Sequence, residues 1–91
     1  MELDRLIEKG QLADRYIKRW FTMTGADSAK PKDLMAFLVE HRVFPKDHRE
    51  GFPLRNLLRQ LDSVDRLSVI TSARFEQKRK NKSWFFVRPE E

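Results

Sequence analysis

The segment Gly51-Phe-Pro-Leu-Arg-Asn-Leu-Leu-Arg-Gln-Leu-Asp62 decides how the rest of the chain is interpreted. Its leucines, at positions 54, 57, 58 and 61, are spaced so that they share one face of a helix. Pro53 suits the first helical position, where its missing N–H leaves no bond unmade. The spacing therefore predicts a helix over about residues 53–62. The opposite face of that helix carries four polar side chains, Arg55, Asn56, Arg59 and Gln60.

Downstream of this helix the apolar period changes from helical to alternating. From Leu67 to Gln77 apolar and polar residues alternate, and β-branched residues are dense at 69–71. Residues 83–87, Ser-Trp-Phe-Phe-Val, predict a second strand with two apolar faces. The two strands form a hairpin over about residues 67–87. Its loop contains four cations, Lys78, Arg79, Lys80 and Lys82, and lacks glycine, which favours a loose loop over a two-residue turn.

Upstream, the pattern predicts two more helices, over about residues 2–22 and 31–42. Gly10 interrupts the first, which is either one weakened helix or two shorter ones. Gly25 suits the left-handed residue that follows a helix. The second helix begins near Pro31, with Asp27 or Ser28 as candidate caps, and no strand is predicted between the two helices.

Length and charge limit what this chain can be. Its 91 residues correspond to a single domain, and the net charge is +5. Residues 52–91 hold nine basic and five acidic residues, so most of the excess lies in the last helix and the hairpin. The sequence has no cysteine, which excludes disulfides and thiolate metal sites and favours the cytoplasm. With no apolar run near the ~20 residues of a membrane span and no signal-like N-terminus, no membrane partner is expected.

No catalytic or metal-binding constellation is present in the sequence. His41 and His48 are the two histidines, and their spacing matches no zinc motif. There is no glycine-rich phosphate loop, no nucleophile elbow and no evident carboxylate pair. We therefore expect no enzyme, no cofactor and no metal.

The order of the predicted elements, helix, helix, turn, helix and hairpin, resembles that of winged helix-turn-helix domains over nearly the whole chain. The resemblance implies an α+β fold: a three-helix winged helix with a C-terminal two-stranded β-hairpin as its wing. In that superfamily the third helix usually enters the major groove and the wing meets phosphates or the minor groove. It implies base-facing roles for Arg55, Asn56, Arg59 and Gln60. It implies phosphate contacts for Lys78, Arg79, Lys80 and Lys82.

The residues themselves allow two functions. Arginine and the amides can each make two hydrogen bonds to a base edge, worth about 1–3 kcal/mol of discrimination, although they also suit an ordinary solvated helix face. The leading hypothesis is a non-enzymatic domain that binds double-stranded DNA, as a transcriptional regulator or a DNA-associated accessory protein. The alternative is a winged-helix module for protein–protein interaction or dimerisation that contacts no nucleic acid. The pattern favours Trp20 and Phe21 as core residues; the other possibility is that they, or the outer face of the hairpin, form a homodimer surface.

Overall fold

A computed structural model of the chain describes residues 2–47 and 51–89. The described residues form an α+β fold with three α-helices and one three-stranded antiparallel sheet. The helices are α1 (Glu2–Thr24), α2 (Pro31–Glu40) and α3 (Phe52–Ser63). The strands are β1 (Ser28–Ala29), β2 (Ala73–Gln77) and β3 (Lys82–Val87), and the sheet order is β1-β3-β2. The three helices and the β2–β3 hairpin are confirmed, whereas β1 was not predicted.

Helix α1 continues through Gly10, which settles the alternative left open by the sequence. A Cβ at this position would meet Val69 Cγ1 at 3.0 Å and Leu61 Cδ1 at 3.1 Å. The glycine therefore allows α1 to lie directly against α3 and the segment that follows it. Gly25 has the predicted left-handed φ, +72°, and its N–H donates to Phe21 O at 2.9 Å, which closes the helix.

Helix α2 is shorter at its end than predicted. Arg42 adopts φ +64°, and the N–H of Val43 donates back to Leu38 O at 2.9 Å. This bond satisfies a terminal carbonyl and directs Val43 and Phe44 into the core. At the other end, neither Asp27 nor Ser28 is the cap: the helix is preceded by Lys30, whose N–H donates to the Asp33 carboxylate at 3.0 Å.

The prediction of a strand from residue 67 was wrong, because Leu67–Val69 forms a 3-10 helix and β2 begins only at Ala73. Turn-type bonds run through this segment, from Ile70 N–H to Leu67 O and from Ala73 N–H to Ile70 O, both at 3.0 Å. Leu67 and Ile70, three residues apart, are thereby turned toward the core. Burial of these side chains overrides the local β propensity of the sequence.

A buried carboxylate fixes the chain between the 3-10 helix and β2. Asp14 Oδ1 of α1 accepts hydrogen bonds from the N–H of Thr71 at 3.0 Å and from its hydroxyl at 3.1 Å. The other carboxylate oxygen, Oδ2, lies 3.2 Å from Lys18 Nζ. This contact joins residues 57 positions apart in the sequence and fixes Thr71, two residues before β2 begins.

Strand β3 is the central strand of the sheet. On one side β3 pairs with β2, with Trp84 opposite Phe75 and Phe86 opposite Ala73; on the other, Phe86 pairs with Ala29 of β1. Trp84 and Phe86 are buried in the core, which settles which of the two apolar faces of this strand faces inward.

Arg88, the first residue after β3, bonds to the segment that follows α1. The Arg88 guanidinium donates to the carbonyls of Gly25 and Ala26 and lies 3.0 Å from the Asp27 carboxylate. The last strand is thereby fastened to the end of α1.

Candidate nucleic-acid interface

Helix α3, the start of α2 and the β2–β3 hairpin enclose an open groove of about 1010 Å³. Its lining, among the residues the structure describes, includes seven cationic side chains and one carboxylate. The cations are Lys30, Lys32, Arg55, Arg59, Lys78, Lys80 and Lys82, and the carboxylate is Asp62. We call this surface the basic groove. Its charge attracts polyanions at long range and makes their binding sensitive to salt.

Helix α3 presents its two arginines to the basic groove. Its leucines are buried as the spacing predicted, and Pro53 takes the second helical position rather than the first. Arg55 and Arg59 are one turn apart, so both reach the side of α3 that faces the hairpin. Arg59 is exposed and Arg55 is half-buried.

The two amides of α3 lie on a different side of the helix. Asn56 and Gln60 line a second hollow, between α3 and α1, rather than the basic groove. A step of one residue rotates a helix by about 100°, which is enough to separate Arg55 from Asn56. The four side chains predicted as one base-facing set thus form two pairs on two surfaces.

The hairpin loop is tighter than predicted and consists of residues 78–81. Lys78 N–H donates to Asn81 O at 2.7 Å, and the side-chain amide of Gln77 donates to both Lys78 O and Asn81 O. Lys78 and Lys80 line the basic groove, whereas Arg79 is exposed at the tip outside its lining. The ammonium of Lys78 also lies 3.4 Å from the carboxylate of Glu76.

Lys82 is a strand residue rather than a loop residue, and it connects the hairpin to α3. It pairs with Gln77 in the β2–β3 ladder, and its ammonium donates to the carboxylate of Asp62. The same ammonium lies 4.3 Å from the centre of the Phe75 ring and 5.8 Å from that of Trp84. Of the four predicted phosphate-binding cations, Lys82 is therefore engaged with α3, whereas the ion pair of Lys78 lies within the hairpin itself.

Sequence reasoning missed the contribution of Lys30 and Lys32. These lysines flank Pro31 at the start of α2 and add two cations to the lining of the groove. The sequence does show two cations beside a helix-initiating proline, but no local pattern in it indicates that they lie near residues 78–82.

The predicted dimer contacts are only partly accessible. Phe21 is 2% exposed and belongs to the core, the role that the sequence favoured, so it does not contribute to a dimer surface. Trp20 is half-buried, with its ring centre 5.1 Å from that of Phe21. On the outer face of the hairpin, Phe85 and Val87 are also half-buried.

Other classes of site receive no support from the described part of the chain. His41 is half-buried and stacks on Tyr16, with ring centres 4.8 Å apart, whereas His48 lies outside the described residues. Within residues 2–47 and 51–89, no group of three His, Asp or Glu side chains is arranged to hold a metal. No helix among them has both the length and the apolar character needed to cross a membrane.

No family model, curated protein or solved structure matches the chain.

Proposed function

We propose that this chain is a winged-helix domain that binds double-stranded DNA through the basic groove. The β2–β3 hairpin would be the wing and α3 the reading helix. The observation that carries the proposal is the meeting of Arg55 and Arg59 with Lys78 and Lys80 in one groove. These cations come from segments about 20 residues apart, and their convergence supports a shared polyanionic ligand.

The order of elements supports the same interpretation. Strand β1 lies between α1 and α2 and pairs with the hairpin, so the element order is α, β, α, α, β, β. The sequence lacked any signal for this strand, and its presence supports the resemblance to winged helices. The domain would act as a transcriptional regulator or an accessory protein on DNA, without catalysis. A cytoplasmic location stays a prediction from the absence of cysteine.

In the proposed complex the roles divide between two kinds of contact. Lys78 and Lys80 of the hairpin loop, and Lys30 and Lys32 at the start of α2, neutralise phosphates and set the register. Arg59 and Arg55 reach the base edges of the major groove, where a guanidinium matches the two acceptors of guanine. We therefore expect a preference for sites that contain guanine, with little contribution from Asn56 and Gln60.

A salt titration tests the proposal. Fluorescence anisotropy of a labelled duplex should show affinity that falls steeply between about 50 and 200 mM salt. The double substitution Lys78→Gln, Lys80→Gln should reduce the slope of log K against log salt by about 1.8, since each lost phosphate contact removes about 0.9.

The matched control is Arg15→Gln, Arg66→Gln, which removes the same charge from exposed positions that do not line the basic groove. Its slope should stay close to that of the unaltered chain. Equal losses in the two double variants would mean that only net charge matters. Absence of duplex binding even at low salt would reject the proposal and leave the protein-interaction module as the better hypothesis.

A further inference from the structure

A second concave surface lies on the side of α3 away from the basic groove. It is an open hollow of about 570 Å³ between α1, the segment after α2 and the first turns of α3. Volumes of this size accommodate a bulky side chain with its neighbouring backbone. Apart from Phe52, the hollow and the basic groove share no described lining residue, so we expect them to bind different ligands.

The floor of the hollow is apolar. Leu6 of α1, Phe44 after α2, and Phe52, Pro53 and Leu57 of α3 supply it. Phe44 and Leu57 are almost completely buried, and Leu6 is half-buried and packs against the core. This floor favours an aromatic or branched aliphatic side chain as the part of a ligand that enters.

The rim of the hollow is cationic. Arg5, Lys9 and Lys46 line it, and none of its described lining residues is Asp or Glu. The Lys9 ammonium lies 4.8 Å from the centre of the Phe44 ring, which places a positive charge directly above the apolar floor. A neutral ligand would offer these three cations no opposite charge, whereas a ligand with carboxylates on either side of an apolar anchor would complement them.

The amides of Asn56 and Gln60 complete the lining. Each side-chain amide offers both a donor and an acceptor, which matches the N–H and C=O of an extended peptide backbone. We propose that this hollow binds an acidic peptide segment of a partner protein, with one aromatic or leucine side chain on the apolar floor and carboxylates against the rim. This surface adjoins the basic groove at Phe52, which lines both, but its other described lining residues belong to the hollow alone.

Three matched synthetic peptides test the proposal with the ¹⁵N-labelled full chain. The first is a short glutamate-rich peptide that carries a central Phe and Leu. The second has both apolar residues replaced by serine, and the third has every glutamate replaced by glutamine. We expect the first to shift the backbone amide signals of Leu6, Lys9, Leu57 and Gln60, and to bind at least about tenfold more tightly than either control.

Substitutions assign the binding to the hollow. Gln60→Glu places a negative charge at an exposed lining position and should weaken the first peptide about tenfold. Lys9→Glu should act in the same direction, whereas Lys78→Glu, with the same charge change in the basic groove, should leave peptide affinity within about twofold. Persistent peptide binding by the Lys78→Gln, Lys80→Gln variant would separate this proposal from that for DNA.

Several outcomes would overturn the proposal. Signal changes confined to residues 78–83 would mean that the peptide occupies the basic groove as a general polyanion. Equal affinities for the three peptides would remove the requirement for an apolar anchor between acids. Binding of 4-phenylbutyrate at the hollow, with no binding of the first peptide, would make this a small-carboxylate site instead.

Discussion

Removal of the single carboxylate from the lining of the basic groove should tighten binding to DNA. Asp62 accepts from Lys82, and both side chains are partly solvated, at 29% and 30% exposure. At these exposures an ion pair contributes up to about 1 kcal/mol, so Asp62→Asn should cost no more than that in unfolding free energy. The substitution should therefore leave the fold intact while it changes the charge of the groove.

Two effects on affinity act in the same direction. A carboxylate at about 7 Å from a phosphate repels it by about 0.6 kcal/mol in a water-like dielectric, and this repulsion disappears in Asp62→Asn. The ammonium of Lys82 also becomes available to a phosphate, which should steepen the salt slope by about 0.9. Together they predict binding that is about two- to fivefold tighter near 0.1 M salt, measured by duplex anisotropy over a salt series.

Asp65→Asn is the matched control because it makes the same change at an exposed position that does not line the groove. Asp65 has φ +60°, a conformation that asparagine also tolerates, so the control should not strain the backbone. If Asp62→Asn binds no tighter than Asp65→Asn, the groove is not the surface that DNA occupies. Weaker binding would mean that the Lys82–Asp62 contact holds the hairpin in its binding position, which contradicts the reasoning above.

Three predictions concern stability, each measured by urea unfolding. Gly51→Ala should cost more than about 2 kcal/mol, because Gly51 has φ +95° and a Cβ there would lie 2.8 Å from the backbone N of Lys32. Arg42→Gly should stabilise by about 0.5–1 kcal/mol, because it relieves a left-handed φ of +64° at a helix end. Asp14→Ala should cost about 2 kcal/mol, since the N–H of Thr71 then loses its acceptor.

Matched substitutions separate the causes of these effects. Gly25→Ala, at φ +72° with nothing within 4 Å of the added Cβ, measures backbone strain without the clash and should cost less than Gly51→Ala. Arg42→Ala should give none of the gain of Arg42→Gly, because alanine keeps the strain. Asp14→Asn, which retains an oxygen acceptor, should recover part of the loss seen in Asp14→Ala. The opposite order in any pair would contradict the corresponding explanation.

The helices were predictable because burial repeats along them with a helical period. The leucine stripe of α3 was visible in the sequence, whereas the two apolar faces of β3 left its buried side open. Strand β1 was not predictable, because two residues carry no period and it exists only by pairing with Phe86 and Val87. The 3-10 helix at Leu67–Val69 was missed for a related reason: its geometry is set by contacts with α1 and α3 rather than by local propensity.

The candidate site was predictable in its chemistry but not in its arrangement. The arginines of α3 and the cations of the hairpin were identified, yet β3 begins one residue earlier than predicted, which makes Lys82 a strand residue. Helix geometry separates Asn56 from Arg55 by about 100°, but which neighbouring elements each side chain meets depends on how α1 and the hairpin pack against α3. The spacing of residue types along the sequence does not indicate long-range packing of this kind.

The division of α3 between two concave surfaces affects how this chain can diversify. Consecutive positions, 55 with 56 and 59 with 60, border different surfaces, so a single substitution at one of them alters one surface and spares the other. Insertion of one residue into the helix would instead rotate all later side chains by about 100° and exchange their surroundings. A point substitution at one of these positions therefore alters one surface, whereas a change in the length of the helix alters both surfaces at once.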